Sequence, residues 1–129
     1  MKPLFNKIDC VSLPVDNLDE ALLFYHKKLG HEILWRHATA VALKLPDSNS
    51  ELVLHTENRE PEIDWKVDSV PEAIEQIIAA GGKLKAGPFD IRIGKCAVLC
   101  DPWNNQIVIL DTSKGLLNVD ENKTVIEDD

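Results

Sequence analysis

Apolar and polar residues alternate through "IDCVSLPV", so Val11, Leu13 and Val15 share one face of a predicted strand, and Cys10 and Ser12 share the other. The rhythm then changes. Leu18, Ala21, Leu22, Tyr25 and Leu29 recur at helical spacing, and Gly30 supplies a stop. Asn17 stands at the helix N-cap position, with Glu20 three residues later to complete a capping box. Three strand-like pieces follow, "HEILWRH", "AVALKL" and "ELVLHTE", the last two separated by a turn at "PDSNS".

The same order of patterns then repeats. Ile63, Trp65 and Val67 alternate, Ser69 caps with Glu72 behind it, and Ala73, Ile74, Ile77 and Ile78 form the apolar stripe of a second helix ending at "AAGG". "KLKAGPFDIR", "KCAVLCD" and "QIVILDT" complete the plan, with "PWNN" as the turn before the last strand. "VDNLDEAL" from Val15 and "VDSVPEAI" from Val67 lie 52 residues apart, and that offset also aligns the preceding apolar segment and the following glycine. The reading is an internal duplication.

The predicted fold class is α+β: tandem βαβββ modules at residues 6–57 and 61–112, forming a cupped, mixed sheet within one domain, residues 1–115. One helix covers one face of each short sheet, and the other faces are expected to enclose a shared hollow. Strand parity sends Cys10, Ser12, Glu51, His55, Glu62, Asp64 and Val108 toward it.

Composition narrows the function. A net charge of −8 over 129 residues argues against a duplex nucleic acid partner, which needs clustered Lys and Arg. No apolar run is long enough to span a bilayer, and "MKPLFNKIDC" has no signal-peptide core, so a cytoplasmic location is expected. Cys96 and Cys100, four apart on a strand, stand roughly 13 Å from each other, too far for a disulfide. Residues 116–129 form an acidic tail with five acids against Lys123, expected to be mobile or loosely docked. Trp35, Trp65 and Trp103 share no parity that would make a stacking platform, and no nucleophile elbow, P-loop or Rossmann fingerprint is present.

With these residues in place, the chain resembles the vicinal oxygen chelate superfamily, which includes glyoxalase I, extradiol dioxygenases, and fosfomycin and bleomycin resistance proteins. The resemblance rests on "VSLPVDNLDEALLFYHKKLG", "ELVLHTE", "VDSVPEAIEQIIAAGG" and "DPWNNQIVIL" and covers about residues 6–112. It implies a cup that, in the family's metalloenzymes, holds a divalent metal on the first and last strands of each module. The family's ligand places fall at Cys10, Glu51, Glu62 and Val108. Val108 has no donor atom, and a thiol with two carboxylates is an unusual set for a hard octahedral metal, so no metal and no other cofactor is expected.

The resulting expectation is a glyoxalase/bleomycin resistance-like protein that binds a small organic molecule in the cup through Cys10, Glu51, His55, Glu62 and Val108. The alternative is a lyase, isomerase or dioxygenase-like enzyme using Glu51, Glu62 or His55 as base. Plainer roles compete at each position. Cys10 reads first as a small buried hydrophobe, the carboxylates can be satisfied by Arg36, Lys44 or Lys66, and His55 can be a strand-end surface residue. The resemblance and the open sheet edges both imply a homodimer.

Overall fold

The computed structural model describes residues 2–125. Its elements are β1 (Lys7–Pro14), α1 (Leu18–Leu22), β2 (Ile33–Arg36), β3 (Ala40–Lys44), β4 (Glu51–His55), β5 (Glu62–Lys66), α2 (Val70–Ala79), β6 (Lys83–Ile91), β7 (Gly94–Cys100) and β8 (Gln106–Leu110). This is the mixed α+β architecture that the alternating patterns predict. Both helices begin where the caps place them. The Asn17 side chain accepts the Glu20 backbone N–H at 3.0 Å, and Ser69 accepts that of Glu72 at 3.4 Å.

The chain forms two compact units. The N-terminal unit takes Asp9–Glu62 and the described residues from Leu117 onward; the C-terminal unit takes Ile63–Leu116 and the described residues up to Ile8. Strand order is β2-β3-β4-β1 in the first and β5-β8-β7-β6 in the second. In each, the first and last strands of the βαβββ plan pair in parallel, and the remaining pairs are antiparallel.

In the C-terminal unit, Val70, Ala73, Ile74 and Ile77 of α2 pack on Ala97, Leu99 and Ile109. Full burial of each large aliphatic side chain contributes roughly 1.5–3 kcal/mol, so this interdigitated face holds the helix to its sheet. Asp111, 1% exposed, ties the same elements together. One of its oxygens accepts the Val70 N–H at 2.8 Å, and the other accepts those of Lys95 and Ser113 and the Ser113 hydroxyl. Burial alone would raise its carboxyl pKa, but these donors outweigh that and hold it below the usual range. Gly94 is small because a Cβ there would run into this carboxylate.

The N-terminal unit packs Ala21 and Leu22 on Val41, Leu43 and Leu54. Its helix departs from the predicted single α-helix to Leu29. After Leu22 the chain widens into a π-helical segment, Leu23–Lys28, and the Leu29 N–H reaches the Phe24 carbonyl, five residues back, at 3.0 Å. Leu23, Phe24 and Leu29 are left half exposed.

The tail is docked through its described part. The Arg36 N–H donates to the Lys123 carbonyl and the Val125 N–H to the Arg36 carbonyl, both at 2.8 Å, so Thr124 pairs in parallel with the outer edge of β2. Lys123 Nζ also lies 3.3 Å from Glu32. Of the mobile and loosely docked tails expected, the described part is docked, because β2 offers open backbone groups. Residues 126–129 lie outside the described residues.

Candidate functional site

The face of the N-terminal sheet opposite α1 is built in rows. In register, Cys10 lies beside Glu51, and Glu51 beside Lys44. The next row runs Ser12, Val53, Ala42 and Trp35, and the third Pro14, His55 and Ala40. Cys10, Ala42 and Val53 form a small apolar cluster flanked by Trp35 and Ala40. Leu13 and Val15 pack on the helix side, so alternation along β1 separates the two faces.

The polar groups on this face are treated unequally. Glu51 is oriented by Trp35, whose indole N–H donates to its Oε1 at 2.9 Å. Lys44, one of the cations open to Glu51 by sequence, instead stands 4.0 Å from Glu32. His55 is 1% exposed and Ser12 2%, yet neither ring nitrogen of His55 nor the Ser12 hydroxyl has a hydrogen-bond partner among the described residues. Each such buried group costs about 1–3 kcal/mol. His26 and His31 differ, since each has Nδ1 on a backbone carbonyl, of His31 and Lys44 respectively.

Beyond the third row a hollow of about 390 Å³ opens at the carboxyl ends of β1 and β4, lined by Pro14, Val15, Asp16, Thr56, Glu57 and Asn58. Its rim is acidic. The hydrogen bond from Arg59 to Glu57 holds that carboxyl below the usual range, against a smaller opposing effect of burial. Arg59 also lies 3.4 Å from Glu62, so the candidate carboxylate that opens β5 is already paired.

Of the sequence candidates, Cys10, Glu51 and His55 therefore share one face, with Glu62 held by Arg59. Val108 belongs to the C-terminal unit, where it is buried beside Asp64 in register. The internal register adds a pairing that letter matching missed. Ser12 and Asp64 are equivalent at the 52-residue offset, and their partners are Val53 and Val108. Glu51 thus corresponds to Gln106, and each unit carries a valine, without a donor atom, at the equivalent place. Among the described residues no three His, Cys, Asp or Glu side chains gather closely enough to hold an ion. With the Cys10 thiol in an apolar cluster and Glu51 accepting from Trp35, the donor set does not fit the family's divalent metal. Trp35 itself was not a sequence candidate, because its contact with Glu51 depends on a register crossing three strands and a bulge between Ile33 and Trp35.

Comparison with known proteins agrees with this architecture. The structure is similar to methylmalonyl-CoA epimerase from Mycobacterium tuberculosis, with TM-score 0.70 and 16% identity over 88% of this chain and 92% of that one. A Streptomyces coelicolor methylmalonyl-CoA epimerase in complex with 2-nitronate-propionyl-CoA gives 0.68 and 17%, over 84% and 96%. The Mn(II)-bound glyoxalase from Novosphingobium aromaticivorans gives 0.59 and 19%, over 84% of this chain but 40% of that one. No curated protein matches the chain by sequence. Among the described residues no helix is long and apolar enough to cross a membrane. Residues 7–109 match the Glyoxalase/Bleomycin resistance protein/Dioxygenase superfamily, and the chain belongs to it.

Proposed function

We propose that the protein binds a small organic molecule, without a divalent metal, at the hollow ending β1 and β4 and the polar face behind it. The observation that carries this reading is His55, buried with both ring nitrogens unsatisfied two residues along the sheet face from an equally unsatisfied Ser12. A ligand offering a donor and an acceptor would supply the missing partners and offset their desolvation. On the rim, Asp16 favours a cationic or hydrogen-bond-donating molecule, since Glu57 is paired with Arg59. Three cysteines kept as thiols suit a reducing cytoplasm, and the outer edge of β6 is suited to pairing in a homodimer, which sedimentation would test.

The test is a fragment screen by ligand-induced NMR shifts on the wild type and a His55→Leu variant, after chelation of metals. The reading expects hits that move Ser12, His55 and Glu57 resonances and vanish in the variant. Hits that require added metal, or that bind the variant equally well, would sink it.

The same imidazole favours one second reading, an acid–base enzyme in which a His55 ring nitrogen accepts a proton from carbon beside a carbonyl, the kind of step an epimerase performs. Solvent deuterium entering a bound carbonyl compound, dependent on His55, is its signature. Binding without exchange leaves the binder.

A further inference from the structure

A second hollow, of about 770 Å³, lies within the C-terminal unit, walled by Leu4, Phe5, Ile77, Ala80, Pro102 and Ile107. We propose that it is a separate binding site for a small, uncharged, mainly apolar molecule, a reading independent of the function proposed above.

The walls are set before any ligand arrives. Lys2 Nζ and Asn6 Nδ2 both donate to the Asp68 carboxylate, at 2.6 and 2.9 Å, and the Asn6 N–H donates to the Lys66 carbonyl at 2.8 Å. This pins the N-terminal segment as one wall, with Phe5 against Trp65 at a ring separation of 5.0 Å. The opposite wall is the end of α2. Strand β6 approaches it closely because residue 82 is glycine, where a Cβ would meet Ile77 Cγ2 at 2.5 Å. The floor at Ile107 and Pro102 is fixed by the β7–β8 turn, in which Asp101 accepts the N–H groups of Trp103 and Asn105 and the Asn105 amide.

Those same bonds define the ligand's chemistry. The two charged side chains lining the hollow, Lys2 and Asp101, are already engaged, with Asp68 and with the turn. An ionic ligand would compete with these contacts, whereas an uncharged one would bury carbon against carbon. Gln76 adds one amide to the lining, enough to orient a single hydroxyl or carbonyl. The volume falls within the range of about 300–1,000 Å³ typical of small-molecule sites.

The test uses the full chain and the uncharged dye N-phenyl-1-naphthylamine, followed by fluorescence, with 1-decanol and decanoate as competitors. Expected are one saturable site per chain, displacement by decanol at least tenfold more effective than by decanoate, and affinity at least tenfold weaker in Ala80→Trp, which fills the hollow from an exposed position. Ala79→Trp serves the same purpose if the first variant misfolds. Ser12→Ala should leave dye affinity within twofold, which separates this site from the one on the N-terminal unit. No saturable binding, equal binding by the filled variants, equal competition by decanoate, or binding that appears only as the chain self-associates would each overturn the proposal.

Discussion

The two units follow one plan and treat their most deeply buried polar residues, Asp111 in one and Ser12 and His55 in the other, in opposite ways. In the C-terminal unit, buried Asp111 has its oxygens bonded to three backbone N–H groups and a hydroxyl. In the N-terminal unit, Ser12 and His55 are as deeply buried, and their side chains hydrogen-bond to none of the described residues. The helices follow suit. α2 runs ten residues with Val70, Ala73, Ile74 and Ile77 buried, while α1 lasts five before the π-helical segment. Satisfied, a buried polar side chain ties elements together; unsatisfied, it costs stability.

The comparison breaks most severely at Asp111. Asp111→Ala would strand the N–H groups of Val70, Lys95 and Ser113, and should cost about 3–4 kcal/mol, read by chemical denaturation. A loss below about 1 kcal/mol would show that the carboxylate is not the tie its geometry implies. The same group sets an acid limit. Its folded pKa is lowered, so its stabilisation is present above the unfolded value near 4 and disappears as pH falls through the lower folded one. Denaturation curves below about pH 4 should lose part of their steepness with pH in Asp111→Asn.

An opposite sign is expected in the N-terminal unit. His55→Leu removes two unsatisfied nitrogens at similar volume, and should raise stability by about 1–2 kcal/mol while abolishing ligand-induced shifts. A destabilised variant would mean that the ring is satisfied in solution. The smallest effect should come from the caps. Asn17→Ala and Ser69→Ala each remove one bond to a helix N–H and should cost about 1 kcal/mol. Hydrogen exchange would sharpen the contrast, with opening confined to α1 in the first variant and spreading through α2 and its sheet in the second.

Much of the fold was legible because its signals are local. The caps at Asn17 and Ser69, the alternation of β1 and the offset joining Val15 to Val67 locate elements without tertiary information. The π-helical segment was not legible, since Leu18, Ala21, Leu22, Tyr25 and Leu29 fit an ordinary helix equally well. Parity placed Cys10, Glu51 and His55 on one face, but the Trp35 contact needed the register of β2 through β4. The tail's pairing with Arg36 arises from an unfilled sheet edge, which composition does not reveal.

The chain ends are exchanged between the units: residues up to Ile8 complete the C-terminal one, and residues from Leu117 the N-terminal one. A gene severed in the loop between β4 and β5 would therefore not release two self-sufficient proteins. The first product would carry the Asn6 and Lys2 clasp for an Asp68 it no longer possessed, and the second would carry an edge strand for an absent Arg36. If a single-copy ancestor existed, its successors became mutually dependent through their termini, and that exchange makes the duplication hard to reverse.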